Sequence, residues 1–486
     1  MRRRVVLGSI ALLAAVLLVG AAVASFRGGT TASIRAAGEP DRGASEEAQE
    51  QAESTQERLE AFEAARNEGT LGKTEAIHLA PATGWVGEKL MGGAADDWEP
   101  AIAADPNAPY VYILHNRYGG PRPCPNSCPD PAMILNVSNN GGRTFGPDAF
   151  LCICRNTNGQ FDPLIEVVKN TGAVYASWMN DSDIMFSKSV DHGATWSTPA
   201  PVFGNVSWGD KPQITTSADG VDVYIAFNGP TDGDPWIATS HDSGTTWTQT
   251  KVVDSKRYYF EYGSAVSPDG NTIVFSEISF TYTGPGAAAE GPVLIEEFRS
   301  TDRGATWTDS VIDTVQLGTP CTSAGCYPDF YDSGPALAMG TGGHLDMVYS
   351  GALTAGGARS VFARSSTDGG ATWGSRVTLS TSGVNSAFPA AVGAGADGVR
   401  AWFQAQLNGR WNTWYTTSTN LGASWSTPVK ISDATSGTAY KNANGYLEVY
   451  GDYGEIAVTN TQKTVAVWGE GTSYTGPGGV WFNRQN

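Results

Sequence analysis

Ser300-Thr-Asp-Arg-Gly-Ala-Thr-Trp307 returns five more times along the chain with small changes. The other copies are Ser138-Asn-Asn-Gly-Gly-Arg-Thr-Phe145, Ser189-Val-Asp-His-Gly-Ala-Thr-Trp196, Ser240-His-Asp-Ser-Gly-Thr-Thr-Trp247, Ser366-Thr-Asp-Gly-Gly-Ala-Thr-Trp373 and Ser418-Thr-Asn-Leu-Gly-Ala-Ser-Trp425. An Asp or Asn at the third position accepts bonds from nearby backbone N–H groups and holds a tight turn. The glycine supplies backbone angles that a side chain forbids. The closing aromatic offers a large face for packing between sheets. An active site needs one constellation of groups, not six copies of it. The boxes are therefore read as structural turns of a repeating unit, spaced roughly 50 to 65 residues apart.

Strand-like runs surround each box. Pro100-Ala-Ile-Ala and Tyr110-Val-Tyr-Ile-Leu precede the first, as Pro212-Gln-Ile-Thr and Val221-Asp-Val-Tyr-Ile-Ala precede the third. A further run such as Ser182-Asp-Ile-Met-Phe-Ser-Lys enters the box, and one such as Trp196-Ser-Thr-Pro-Ala-Pro-Val leaves it. Alternation with turn punctuation makes these strands, so the box joins the third and fourth strands of a four-stranded unit. A seventh unit near the C-terminus, from Gly454 to Arg484, has three strands and no box. These features predict an all-β fold, a β-propeller over residues 73–486 with seven blades, six being the alternative. The N-terminal run Thr74-Glu-Ala-Ile-His-Leu is expected to pair with the C-terminal strands and close the ring, removing exposed sheet edges.

Composition agrees with many short strands: 59 glycines and 15 tryptophans, with only 16% charged residues. The net charge of -18 excludes a nucleic-acid binder, which needs the opposite sign. Arg2, Arg3 and Arg4 precede an apolar run from Val5 to Ala24, so residues 1–25 read as a signal peptide or a retained signal anchor. Either outcome places the rest outside the cytoplasmic membrane, secreted or anchored on its outer face. Residues 26–72, rich in Glu, Gln and Ala, read as a polar, partly helical tether in which only Leu59 and Phe62 are large and apolar. Six cysteines form three close pairs: Cys124 with Cys128, Cys152 with Cys154, and Cys321 with Cys326. Export favours disulfides, and the spacing of the first four suits zinc knuckles poorly.

The boxes resemble those of the sialidase superfamily, also called BNR or Asp-box proteins, over most of the chain after Lys73. The resemblance implies a propeller fold, and in its sialidase members an arginine triad on the substrate carboxylate, a Tyr–Glu nucleophile pair and an Asp acid/base. It also implies six blades and a Phe/Tyr-Arg-Ile-Pro motif, where this chain has His115-Asn-Arg-Tyr118. The superfamily also includes propellers that only bind or assemble.

Propeller geometry puts the segments before each inner strand, and the turns between second and third strands, on the face away from the boxes. In phase these contribute Asp96, Asp97, Glu99, Asp162, Asp210, Lys211, Glu261, Tyr262, Asp332, Phe388, Asp452 and Tyr453, with Arg117, Tyr118, Asn180, Asp181, Asn228, Glu277, Gln404 and Glu470 from the turns. A glycosidase needs one carboxyl as acid and a second carboxylate or a Tyr as base or nucleophile. Glu261 and Tyr262 are the candidates for base and nucleophile, with Asp97 or Asp162 as acid. Arg117, Tyr118, Asp210, Lys211, Arg257, Glu277, Asp452 and Tyr453 are candidates for substrate binding. No metal-ligand spacing stands out and no cofactor is expected, although hard oxygens at Asp96, Asp97 and Asp452 would suit a structural calcium. His192 and His241, inside boxes, read as exposed turn residues. Two functions compete: a glycan-active hydrolase, and a non-catalytic, monomeric propeller binding an extracellular glycan, glycoconjugate or protein. An anionic sugar needs several arginines at the channel mouth, drawn from Arg117, Arg122, Arg155 and Arg257. Fewer than two reaching it would exclude the sialidase version.

Overall fold

The structure, a computed structural model, describes residues 56, 59–69 and 80–486, apart from 94, 124–127, 153, 155–156, 232, 285–287, 317–332, 385, 408–409, 433–440, 443–444, 447–453 and 471–477. The described residues are almost entirely strand and turn. Strands fall into quartets of antiparallel neighbours in simple sequence order. The first sheet is Asp96–Ala104, Val111–Gly119, Ala132–Ser138 and Ala149–Phe150. The second is Gln160–Val167, Val174–Asn180, Asp183–Ser189 and Ala200–Pro201, and the third Asp210–Thr216, Val223–Gly229, Asp234–Ser240 and Thr248–Lys251. The fourth quartet (Arg257–Val266, Ile273–Gly284, Ala288–Ser300, Thr308–Gln316) joins the fifth (Ala336–Met339, Leu345–Ala352, Arg359–Ser366, Val377–Thr378) through one pairing, Gln316 with Ala352. The sixth is Ser386–Gly395, Gly398–Leu407, Arg410–Ser418 and Val429–Lys430.

Gly454–Val458, Thr464–Glu470 and Gly479–Arg484 make the last sheet, and its fourth strand is Lys89–Leu90, with Lys89 opposite Phe482 and Leu90 opposite Trp481. Thr74–Leu79, the segment expected in that place, lies outside the described residues; the strand that pairs there begins later in the chain. Trp85 extends the contact by bridging Gln485 and packing edge-on to Tyr415. The first strand of each quartet lies beside the first strand of the next, and that of the seventh lies beside that of the first.

The boxes fold as their chemistry dictates. In the fourth sheet Ser300 Oγ accepts the Gly304 N–H (2.9 Å) and donates to Asp302, whose carboxylate accepts the Thr306 N–H (2.9 Å) and hydroxyl (2.6 Å). Asn140 keeps the same turn by reversing one bond, its amide donating to Thr144 Oγ1 at 2.7 Å. The variable fourth residue takes a positive φ, 58° at both His192 and Arg303, before the glycine does the same. These turns also bind sheet to sheet. His192 stacks on Tyr110 of the first sheet at 4.0 Å, and Arg303 makes a bidentate pair with Asp222 of the third (2.7 and 2.9 Å). His241, exposed, sits 2.8 Å from the same Asp222. The box tryptophan Trp247 meets Phe186 of the preceding sheet edge-on at 5.2 Å.

Gly244 shows the constraint most sharply. Its φ is 78°, and a Cβ there would land on the Phe186 ring. Gly244→Ala is expected to cost about 2–4 kcal/mol, combining overpacking with a disfavoured backbone. Asp242→Asn, which mimics the natural Asn140 and Asn420, is expected to leave stability close to wild type. Urea denaturation of both variants checks this; an undisturbed Gly244→Ala midpoint would refute the packing argument.

Candidate functional site

Five of the inner strands carry a bulge at the end away from the boxes, and the bulge positions candidate residues there. Register shifts occur at Trp98/Ala101, Phe161/Leu164, Asp210/Gln213, Glu261/Gly263 and Ala387/Ala390. In the first three the bulged residue precedes a proline and has positive φ: Glu99 (49°), Asp162 (50°) and Lys211 (48°). Proline lacks the N–H that a ladder needs, so the chain kinks there and re-aims the preceding side chain.

The re-aimed side chains bond hand to hand around the inner wall. Glu99 Oε2 accepts from Asn116 Nδ2 (2.6 Å) and from the Asp162 N–H (3.3 Å). Asp162 Oδ2 accepts from the Lys211 N–H (3.2 Å), which also reaches Asp210 Oδ1 (2.7 Å). Lys211 Nζ then lies over the Phe260 ring of the fourth sheet, 5.0 Å from its centre. Indoles occupy other polar groups at this end: Trp98 donates to Asp96, Trp178 to Asn180 and Trp468 to Glu470. Asp96 also accepts the Gly478 N–H from the last sheet at 2.6 Å.

The arginine candidates are anchored inward. Arg117, 1% exposed, meets Asp97 through Nε (2.6 Å) and Nη2 (3.0 Å), and through Nη1 meets Asp148 (2.6 Å) and the Pro121 carbonyl (2.5 Å). Burial opposes ionisation of Asp148, but Arg117 and Asn136 hold it below the usual carboxylate range. Arg257 donates to Ser279 Oγ (2.6 Å) and the Ser279 carbonyl (2.7 Å), bracing its own sheet. Arg122 is tied to Asp130 and the Tyr118 carbonyl. Arg155 lies outside the described residues, and the described arginine candidates spend their guanidinium bonds on separate protein partners instead of converging as a carboxylate sugar needs. Tyr118 is buried edge-on against Trp98 at 5.5 Å.

Glu261 and Tyr262 are not brought together. Glu261 is fully buried toward the third sheet, beside Asp210, Lys211 and Asn228. Tyr262 is half-buried and turns the other way, its ring against Gly334. The two residues sit at the bulge between Glu261 and Gly263, and it is their different neighbours, the third sheet for Glu261 and Gly334 for Tyr262, that separate them in space. Glu277 was expected in a turn, but its strand runs on to Gly284 and places it mid-sheet, opposite Glu261 on one side and Glu296 on the other. The three carboxyls form a buried ladder facing the third sheet, with exposed Asp309 at its outer end. Among the described residues, no hydrogen-bond partner meets either oxygen of Glu277 or the side-chain amide of Asn228. Burial first pushes Glu261 and Glu277 well above the ordinary carboxylate pKa, with Asp210 adding to it at Glu261, and Glu261 and Glu296 adding to it at Glu277.

Asp452, Tyr453, Asp332, Cys124, Cys321 and Cys326 lie outside the described residues. Cys152 and Cys154 form a disulfide, and Cys128 is also disulfide-bonded. Of the calcium candidates, Asp452 lies outside the described residues, while Asp96 is bonded to Trp98 and Gly478 and Asp97 to Arg117.

At the box end the inner strands line a cavity of about 480 Å³, walled by Glu166, Thr216, Ser264, Met339, Gly395 and Val458. Burial pushes the carboxyls of Glu166 and Glu455 up to about 8 each, and Glu455 raises Glu166 further. Neither is among the sequence candidates, which cluster at the opposite ends of the inner strands. A lone acid inside an apolar run, as in Leu164-Ile-Glu166-Val, was the signal available.

No protein-family profile and no curated protein matches the chain. Solved structures similar to it include the Hadza microbial sialidase Hz136, at 15% identity and TM-score 0.43 over 80% of this chain and 66% of that one, just under two thirds of its length. The polysaccharide lyase PL25 ulvan lyase is similar at 11% identity and TM-score 0.49, over 81% of this chain and 95% of that one. The intramolecular trans-sialidase from Ruminococcus gnavus is similar at 13% identity and TM-score 0.42, over 85% and 97%. At these identities no residue role and no activity passes from those enzymes to this chain.

Proposed function

We propose that the chain is an exported, closed seven-bladed β-propeller that recognises a neutral extracellular glycan or glycoconjugate on the face away from its boxes, and holds it without cleaving it. Seven quartets whose inner strands neighbour one another in a cycle support the ring, as does the pairing of Lys89–Leu90 with the last sheet. The three arginines before the Val5–Ala24 run support export, to the medium or to the outer face of the membrane. The Cys152–Cys154 disulfide suits an oxidising compartment. The six boxes, through their resemblance to the sialidase superfamily, support a glycan ligand.

One observation carries binding over cleavage. The candidate acids Asp97 and Asp162 bond neighbouring groups, and Glu261 and Tyr262 face opposite ways. A hydrolase needs a free acid and a free base or nucleophile converging on one bond. The inward bonding of Arg117, Arg122 and Arg257 favours a neutral sugar over a carboxylate-bearing one.

A glycan array and a fluorogenic glycoside panel test the reading. Neutral glycans are expected to be retained without turnover. Hydrolysis that Glu261→Gln or Asp97→Asn abolishes would make the protein a hydrolase, and an empty array would remove the glycan.

A further inference from the structure

The tether does not stay clear of the candidate site. Residues 59–68 form a helix, and Phe62 and Ala65 on it are buried (7% and 8% exposed). Phe62 seats on Gly119, the last residue of the Val111–Gly119 strand, at the end of the first sheet away from the boxes. A Cβ on Gly119 would lie 2.5 Å from Phe62 Cγ and within 3 Å of both ring δ carbons. Gly119 has no positive φ to require glycine, so the missing side chain serves the approach of the ring. Gly119 also pairs with Asp96, which bonds the last sheet through Gly478. The seat thus lies where the first and last sheets meet on the candidate binding face.

We infer that residues 59–68 are a displaceable strap, held by Phe62 in the Gly119 socket, that covers the first-sheet part of the binding face until ligand displaces it. The covering role rests on the glycan reading above; the strap and its socket do not. A helix of this length is marginal by itself in water. Its described apolar anchors are one aromatic ring and one methyl group, with Leu59 half-buried and Gln56, Glu60, Glu63 and Arg66 spending their bonds within the helix. Such an element opens far more readily than the sheets beneath it.

Hydrogen–deuterium exchange on the full-length protein decides the first part. Phe62→Ala and Gly119→Ala are each expected to speed exchange of amides 59–68 by about tenfold or more, while the strand amides of Asp96–Ala104 and Val111–Gly119 stay unchanged. Unchanged exchange at 59–68 in both variants would overturn the strap. For covering, both variants are expected to bind array-positive neutral glycans several-fold more tightly, and equal affinity with faster exchange would overturn it. If no glycan binds any of the three proteins, the glycan reading fails and the exchange result still decides the strap.

Discussion

Replacing Arg117 by methionine is expected to destabilise the fold by about 3–5 kcal/mol, because it strands a buried carboxylate. Asp97 is 1% exposed and receives two of the guanidinium's bonds, at 2.6 and 3.0 Å. His115 stands 3.7 Å from Asp97 Oδ1, too far to replace those bonds. The backbone of Gly92 closes over the pair, since any Cβ on it would collide with Asp97 and Arg117. Water therefore has little room to enter. The double variant Arg117→Met/Asp97→Leu removes both charges and is expected to recover most of the loss, as apolar replacements of buried pairs do. Denaturant midpoints for the two singles and the double complete the cycle. A loss below about 1 kcal/mol in Arg117→Met would show that the pair is dispensable, and would return Arg117 to the list of ligand-binding groups.

That result bears on how the sequence was read. The boxes were legible because each packs its chemistry into eight consecutive residues, and the turn they specify forms from those residues alone. The strand quartets followed from alternation, and the inner bulges were foreshadowed by Glu99-Pro100, Asp162-Pro163 and Lys211-Pro212. Phase also put Asp97, Asp162, Lys211 and Glu261 at the right end of the right strands. It could not say what each side chain would touch. Arg117 and Asp97 are in different strands and meet only through register, as do Glu261 and Glu277. Glu277 was misplaced because Ile273–Gly284 runs longer than the second strands of the other sheets. The pairing of Glu261 with Tyr262 failed because, at the bulge between Glu261 and Gly263, the two side chains meet different neighbours. Phe62 was discounted because a thin apolar stripe ordinarily stays solvated, and the hollow at Gly119 that accepts it is visible only in three dimensions.

The protein is expected to be more stable at pH 5 than at pH 9, with the buried acids of the fourth sheet setting much of the difference. Glu261, Glu277 and Glu296 are at most 2% exposed and bind protons more tightly folded than unfolded. Burial is the chief cause for each. Asp210 adds to it at Glu261 against the opposing pull of Lys211, and Asp309 adds to it at Glu296, where Ser279 and Arg257 oppose it. Carboxyls of this kind contribute fully below their unfolded value near 4.5, and lose that contribution as pH climbs through the folded one. For Glu166, which lines the box-end cavity, and for Glu455, which accepts the Ile102 N–H, that window closes at about 8. Asp313 works in the opposite sense: burial resists, but Arg376, Tyr349 and Arg364 hold it down at about 2. Its contribution is present above 3.8 and fades only in strong acid, so it leaves the interval from 5 to 9 to the raised groups. Glu277→Gln keeps the shape and removes the proton. It is expected to match wild type closely at pH 5 and to be clearly the more stable of the two at pH 9. Urea midpoints at the two pH values read this directly. Equal destabilisation at both would mean that Glu277 is ionised in the folded protein. A carboxylate without a hydrogen-bond partner could then persist only beside a cation, and the ladder would have to be reconsidered as a binding site for one.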